Sequence, residues 1–129
     1  MVIDTSAIIA ILFAEPEKAK FISRITQDAK RLVAAFTVLE AAVVVEARKG
    51  PAAARELDLF FHEAAIEQVG MDSEQVALAR EAYHRFGKGK HSAALNLGDC
   101  CSYALAIKTG EALLYKGNDF SQTDVKSID

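Results

Sequence analysis

The chain has 129 residues, of which 51% are hydrophobic and 26% are charged, with no tryptophan and a formal net charge of −3. This length and composition exclude a disordered protein and predict one domain, residues 1–129, with a hydrophobic core. The acidic balance excludes binding of nucleic acid through overall positive charge, although a local basic patch remains compatible with an enzyme that acts on nucleic acid.

The first half of the chain predicts two strands, each followed by a pair of helices. Residues 1–4 are typical of a short buried strand, and residues 5–14 of an apolar helix that ends before Pro16. Pro16 suits the first turn of a second helix, to about residue 29, and "RLVAAF" predicts the second strand. "TVLEAAVVVEARKG" predicts a helix ended by Gly50, and Pro51 opens another helix to about residue 65.

The second half continues the same alternation of strands and helices. "IEQVG" predicts a third strand, and residues 71–87 predict a helix that is capped by Asp72 or Ser73 and ends at Gly87. After a polar loop, "GDCCSYALAIKTG" predicts a buried helix, "EALLYKG" a fourth strand and "TDVKSI" a short fifth strand. Strands separated by helices pair in parallel, so we predict a three-layer α/β/α fold with a central parallel sheet of four to five strands.

The cysteines and the N-terminus bear on location. Cys100 and Cys101 are adjacent, which excludes a disulfide between them without distortion, and we predict that both are core residues in a reducing cytoplasm. The apolar N-terminus has no basic segment before it and is interrupted by Asp4, unlike a signal peptide. No stretch approaches the roughly 18 apolar residues of a membrane span. We therefore expect no membrane association.

Four acidic residues are predicted to meet at one edge of the sheet. Asp4 ends the first strand, Glu40 lies in the first turn of the helix after the second strand, and Asp119 follows the fourth strand. Asp99 opens the helix before the fourth strand. Ligands of open parallel sheets bind outside the carboxyl ends of the strands, so these acids are candidate site residues.

Each acid also has a purely structural explanation. Asp4 is a suitable helix cap, and Thr37 with Glu40 matches a capping box. Asp99 suits the positive end of a helix dipole, and "GND" at residues 117–119 is an ordinary turn sequence. Taken singly, each acid fits such a structural role.

Burial argues for a shared role of these acids. Helical spacing places Val43, Val44 and Ala47 on the same face as Glu40, which predicts that Glu40 projects from a buried face. Half-buried carboxylates that converge without cations repel one another and take up protons. Mg2+ or Mn2+, which prefer oxygen ligands and keep several waters, would resolve this conflict and would suit phosphoryl chemistry.

The chain resembles the PIN-domain ribonucleases, and most closely the VapC-type toxins of bacterial toxin–antitoxin pairs. The resemblance covers essentially the whole chain. It rests on four segments in order, namely "VIDTSAIIAILFAEPE", "TVLEAAVVVEAR", "HRFGKGKHSAALNLGDCCSYALA" and "LLYKGNDFSQTD". A lone "DTSA" would match many proteins, whereas four such segments in a chain of this size are specific.

The resemblance implies a catalytic quartet and its partners. The quartet would be Asp4, Glu40, Asp99 and Asp119, with Asp4 and Asp99 as the main metal ligands of a Mg2+- or Mn2+-dependent endoribonuclease. The implied partners are an RNA substrate, a VapB-like antitoxin that blocks the active site, and a second copy in a homodimer. Four further residues are candidates for supporting the ligands or contacting metal-bound water: Thr5, Ser6, Asn118 and Asp124. For Thr5 and Ser6 helix capping is an open alternative, and for Asp124 a role in a turn.

The segment "HRFGKGKH", residues 84–91, is the only concentrated basic stretch. The segment also contains two glycines. Candidates for contacting the phosphates of an RNA backbone that runs towards the acids are Arg85, Lys88, Lys90 and His91. A solvated surface loop is the alternative interpretation.

Other functions fit less well. A phosphohydrolase with Asp4 as nucleophile would resemble haloacid-dehalogenase-like enzymes, which usually carry an Asp where this chain has Ser6. Receiver domains carry a pair of acids near the first strand and a later lysine, which cannot be placed convincingly in this chain. No G-x-x-x-x-G-K-S/T phosphate loop is present. The three histidines form no nucleophile–base pair, and His62 is predicted near the core. A non-catalytic PIN-like binding module remains a second class, against which the complete quartet argues.

Overall fold

A computed structural model describes residues 1–128 and has helices on both faces of a parallel sheet, which confirms the predicted α/β/α architecture. The elements in chain order are β1 Val2–Ile3, α1 Thr5–Leu12, α2 Lys18–Gln27, β2 Leu32–Ala34, α3 Ala35–Lys49, α4 Ala53–Glu63, β3 Glu67–Val69, α5 Ser73–Phe86, α6 Leu97–Thr109, β4 Leu113–Leu114 and a 3₁₀ turn Phe120–Gln122.

The sheet has the strand order β3-β2-β1-β4, and all its pairs are parallel. The predicted fifth strand is a single parallel bridge between Ser127 and Leu113. The chain builds β2 and β3 on one side of β1 and then returns to place β4 on the other. In open parallel sheets, a ligand-binding crevice forms at the carboxyl ends of the strands where the order reverses, here beside β1.

Alternation along the strands produces the two core layers. Val2 packs in a cluster with Phe86 of α5 and Tyr103 of α6, whereas Ile3 packs in a second cluster with Ile8 of α1 and Leu57 of α4. Successive side chains of a strand point to opposite faces of a sheet, so two residues of β1 are enough to anchor both helical layers. This anchoring fixes the position of the residue that follows β1.

The β2–α3 connection differs from the sequence-based prediction. The strand ends at Ala34 and the helix begins at Ala35, so Glu40 lies in the second helical turn and not in the first. The predicted capping box of Thr37 and Glu40 is also wrong, because Ala34 is the N-cap and makes no side-chain cap bond. Thr37 is instead fully buried inside the helix.

The buried face of α3 was also predicted incorrectly. Its buried residues are Thr37, Ala41 and Val45, whereas Val43 is 58% exposed. Glu40 therefore borders the buried face and does not lie at its centre. Because this helix is apolar on almost every side, the spacing of its hydrophobic residues could not identify the face that packs. In α4, His62 is exposed, contrary to its predicted place near the core.

Both cysteines are buried and free, as predicted. Burial raises the pKa of the Cys100 thiol to about 11, and it also raises the pKa of Cys101. Within residues 1–128, no helix combines the length and apolar character needed to cross a bilayer.

Candidate active site

Asp4 leaves the end of β1 and caps α1. Its Oδ2 accepts hydrogen bonds from the Ser6 backbone amide at 3.0 Å and from the Ser6 hydroxyl at 2.7 Å. Its Oδ1 accepts a bond from the Ser102 hydroxyl at 2.6 Å, and the residue is only 2% exposed. A carboxylate can accept about four hydrogen bonds, so these donors leave room for one further partner. Asp4 is thus both a helix cap and an available ligand.

Thr5 and Ser6 support the acids rather than capping the helix. The Thr5 hydroxyl donates to Oε1 of Glu40 at 2.5 Å. The Ser6 hydroxyl accepts a bond from the backbone amide of Lys116 at 2.9 Å while it donates to Asp4. Since Lys116 follows β4, Ser6 links the ends of the neighbouring strands β1 and β4 at the candidate site.

Gly98 gives Glu40 the space that it occupies. A Cβ atom at Gly98 would overlap both carboxylate oxygens of Glu40. The carboxylate of Glu40 is therefore confined between the Thr5 hydroxyl and the first turn of α6. This confinement brings an acid from α3 to the start of the helix that carries Asp99.

Asp99 belongs to a capping box and has a raised pKa. Its backbone amide donates to Asn96 Oδ1 at 2.9 Å, and its Oδ2 accepts from the Asn96 amide at 3.0 Å. Burial raises the pKa of Asp99 to about 7 against the lowering effect of the Asn96 amide, and the charges of Asp4, Asp119 and Glu40 raise it further. Asp4, Glu40 and Asp119 therefore all lie within electrostatic reach of Asp99.

Asp119 occupies the exposed side of this cluster. It precedes the 3₁₀ turn and makes no side-chain cap bond there, which argues against a purely structural role in the turn. The neighbouring Asn118 contributes its backbone carbonyl, which accepts from the Ser121 hydroxyl at 2.7 Å. Asn118 thus shapes the segment that presents Asp119.

The donor set fits a hydrated, hard cation better than a fully enclosed one. Among residues 1–128, no three acidic, histidine or cysteine side chains are close enough to surround a metal ion as they stand. Mg2+ keeps several waters and binds through one or two carboxylates, so the unused acceptor position of Asp4 together with Asp99 meets its needs.

Asp124 lies in a different set of contacts. It accepts a hydrogen bond from the Tyr103 hydroxyl at 2.6 Å and forms an ion pair with Arg85 at 3.4 Å. The Tyr103 hydroxyl lowers the pKa of Asp124, and Arg85 lowers it further. These contacts join the C-terminal segment to α5 and α6.

The basic segment is only partly a loop. Arg85 belongs to the last turn of α5, and it lies over the Phe86 ring at 4.6 Å. His91 is held locally, since its Nδ1 accepts from the backbone amide of Ala93 at 2.9 Å. Lys88 and Lys90 are exposed, and Lys90 lies over the ring of Tyr83 at 5.1 Å. The two lysines are therefore the members of this segment that are best able to reach a ligand.

Three residues were not predicted to belong to the site, namely Ser102, Thr37 and Gly98. No motif marks Ser102, and the motif that includes Thr37 predicts a capping box that does not form; each of the two contacts a side chain far away in sequence. Gly98 stands beside Asp99, and that adjacency was the one available signal.

Comparisons with known proteins bear on the family and on the fold. The sequence profile of the PIN domain matches residues 1–126. Ribonuclease VapC30 of Mycobacterium tuberculosis is 47% identical over 128 residues, which cover 99% of this chain and 98% of the relative. The crystal structure of M. tuberculosis VapC20, a toxin that cleaves the sarcin–ricin loop, aligns with a TM-score of 0.79 at 15% identity, over 98% of this chain and 97% of that one. VapBC2 from Rickettsia felis, bound to a DNA fragment from its promoter, aligns with a TM-score of 0.77 at 12% identity, over 99% and 96%.

Proposed function

The chain belongs to the PIN domain family and to its VapC ribonucleases, and on this basis we propose that it is a divalent-metal-dependent endoribonuclease acting as the toxin of a toxin–antitoxin pair. The observation that carries the proposal is the convergence of four carboxylates at the carboxyl end of the sheet. Burial raises the pKa of Asp99 there to about 7, and the charges of the other three acids raise it further. A covalent phosphohydrolase is disfavoured, because its nucleophile would be Asp4, which is 2% exposed and already accepts three hydrogen bonds.

In the proposed mechanism, Asp4 and Asp99 would be the main ligands of Mg2+ or Mn2+, and Glu40 and Asp119 would help to hold the cation directly or through water. The cation supplies orientation of the phosphate, a more nucleophilic water and stabilisation of the leaving oxygen. Thr5 and Gly98 fix the carboxylate of Glu40, so its position needs little reorganisation during the reaction. Asp119, on the exposed side, faces the direction from which RNA would arrive.

Metal removal and replacement test the proposed function. Protein treated with EDTA should leave an end-labelled RNA intact, and added Mn2+ or Mg2+ should restore internal cleavage. The Asp99→Asn variant should remain inactive under both conditions, because it lacks one of the two main ligands. Cleavage that survives both EDTA and this substitution would contradict the proposal and favour a contaminating nuclease or a binding module.

Substitution of Gly98 by alanine should slow cleavage by about tenfold to a hundredfold, as expected for a catalytic group misplaced by about 1 Å. The added Cβ would displace the Glu40 carboxylate. In a Glu40→Asp background, where the side chain is one methylene shorter, the same substitution should have little further effect. Single-turnover rates of the four proteins measure this coupling. Equal losses in both backgrounds would show that Gly98 does not act through Glu40.

We further propose that Lys88 and Lys90 contact the RNA backbone. Replacing both by alanine should raise KM severalfold and leave kcat unchanged. It should also reduce the slope of log binding constant against log salt concentration by about 1.4, as expected for the loss of two phosphate contacts on a single strand. Replacing the exposed Lys18 and Lys20 of α2 provides a control with the same loss of charge. An unchanged salt slope would identify residues 88–90 as a simple connector.

We propose a VapB-like antitoxin as a partner in the cytoplasm, on the surface around Leu39 and Val43. These side chains are 60% and 58% exposed on α3, and Leu39 adjoins Glu40. Large exposed apolar side chains are typical of partner contacts. A segment bound there would cover the approach to the acids.

We also propose a homodimer that covers the groove between α5 and α6. This groove has a volume of about 570 Å³, and exposed Met71, Val76, Tyr83 and Leu97 line it. Sedimentation of the chain, alone and with a VapB-like protein from any small reading frame beside its gene, measures both assemblies. A monomer that binds no antitoxin would contradict both partner assignments.

A further inference from the structure

A chain of buried hydroxyl groups leads to the candidate active site. The hydroxyls of Thr37 and Ser102 lie 3.2 Å apart, and the Ser102 hydroxyl donates to Oδ1 of Asp4 at 2.6 Å. Within residues 1–128, the buried polar or charged side chains are Asp4, Thr37, Gln75 and Ser102. All of them except Gln75 belong to this series of hydrogen bonds. Thr37 and Ser102 are completely shielded from solvent.

The direction of the hydrogen bonds follows from the available protons. A serine hydroxyl has one proton, and Ser102 uses it towards the carboxylate of Asp4. Thr37 must therefore donate to Ser102. Both bonds point towards Asp4, and each supports the next, because a hydroxyl that accepts a bond becomes a better donor.

The same hydrogen bonds connect the elements that carry three of the acids. Ser102 lies three residues after Asp99 on α6, and Thr37 lies three residues before Glu40 on α3. Residues three apart share a helix face, so the hydroxyl chain runs behind the acids, on their buried side. Any rotation of α6 relative to β1 would have to stretch the bond between Ser102 and Asp4.

We infer that Ser102 is a positioning residue, which fixes the orientation of the Asp4 carboxylate and is itself held by Thr37. With Oδ2 engaged by Ser6 and Oδ1 engaged by Ser102, the carboxylate cannot rotate about its terminal bond. Its remaining acceptor position is thereby aimed in one direction. This inference rests on the proposed function, because the aimed acceptor is the one assigned to a cation.

Manganese binding by the purified chain tests the inference without relying on activity. Ser102→Ala should raise the Kd for Mn2+, measured from the electron paramagnetic resonance signal of free Mn2+, by about tenfold, as for other supporting partners of metal ligands. Ser102→Thr, which keeps the hydroxyl, should retain much of the affinity. Cys100→Ala is the matched control, since it removes one buried heavy atom from the same helix. Cleavage assays should show a lower kcat at limiting Mn2+ and an unchanged KM for RNA.

Thr37→Val adds a test of the path. It should weaken Mn2+ binding in the wild-type background and have no further effect in Ser102→Ala, because Thr37 reaches Asp4 only through Ser102. A Ser102→Ala protein that melts at a lower temperature but binds Mn2+ with wild-type affinity would overturn the inference and leave a structural role only. A wild-type chain that binds no Mn2+ and cleaves no RNA would overturn the proposed function itself.

Discussion

Replacing Asp4 by asparagine should lower metal-dependent RNA cleavage by about a thousandfold, which corresponds to about 4 kcal/mol of transition-state stabilisation. The substitution removes the charge assigned to the cation and places an amide where Asp4 now accepts the bond from Ser102. The fold should survive, because asparagine is a good helix cap and its carbonyl oxygen can still accept from the Ser6 amide. Single-turnover cleavage at saturating Mn2+ measures the loss.

Asp58→Asn provides the matched control for this substitution. Asp58 is exposed on α4, so the same change of charge and size should leave cleavage within about twofold and stability within about 0.5 kcal/mol of wild type. Circular dichroism of both variants checks that each is folded. An Asp4→Asn variant that keeps a tenth or more of the wild-type rate would show that Asp4 is only a helix cap.

Asp99→Asn should stabilise the metal-free protein at pH 8 by a few kcal/mol, with about 4 kcal/mol as the upper bound, since a tenfold change in proton affinity is worth about 1.4 kcal/mol. The pKa of Asp99 is about 7 in the folded chain, against an ordinary value of 3.8. Between these values the folded chain holds a proton that the unfolded chain has released. The wild-type free energy of unfolding therefore contains a contribution that falls as pH rises from about 4 to 7.

Asparagine removes this contribution and can still accept the bond from the Asn96 amide. The difference in unfolding free energy between variant and wild type should be near zero at pH 4 and should grow to its full value above pH 7. Urea unfolding in EDTA at several pH values measures it. Saturating Mn2+ should make the wild type more stable than the variant, because the cation stabilises only the protein that binds it. A difference that does not change with pH would show that Asp99 ionises normally.

Much of the fold could be predicted because strand and helix signals alternate along the chain. Three of the four short strands are wholly apolar, the exception being β3, and helix ends are marked by residues such as Gly110, which adopts φ of 72°. The errors arose where such marks are missing. The start of α3 has no capping side chain, and its apolar residues surround the helix, so neither its first residue nor its buried face could be read from spacing.

Asp4 and Asp99 lie where the same reasoning placed them, at the end of a strand and at the start of a helix, and Asp119 follows β4, whereas Glu40 lies one turn further into α3 than predicted. Their structural explanations also proved partly right. Asp4 caps α1 and Asp99 belongs to a capping box, yet both lie in the acidic cluster. A capping role and a ligand role are compatible, because a carboxylate has more acceptor positions than a cap uses.

The sequence by itself determined the α/β/α architecture and the edge of the sheet at which the acids gather, because both depend on local patterns and on the order of elements. Only the tertiary structure decided how each acid is held. Ser102 reaches Asp4 across 98 positions of the chain, and Gly98 makes room for Glu40. Such contacts depend on how helices pack across the sheet to within about an ångström, and no periodicity in a single sequence encodes a distance between remote side chains.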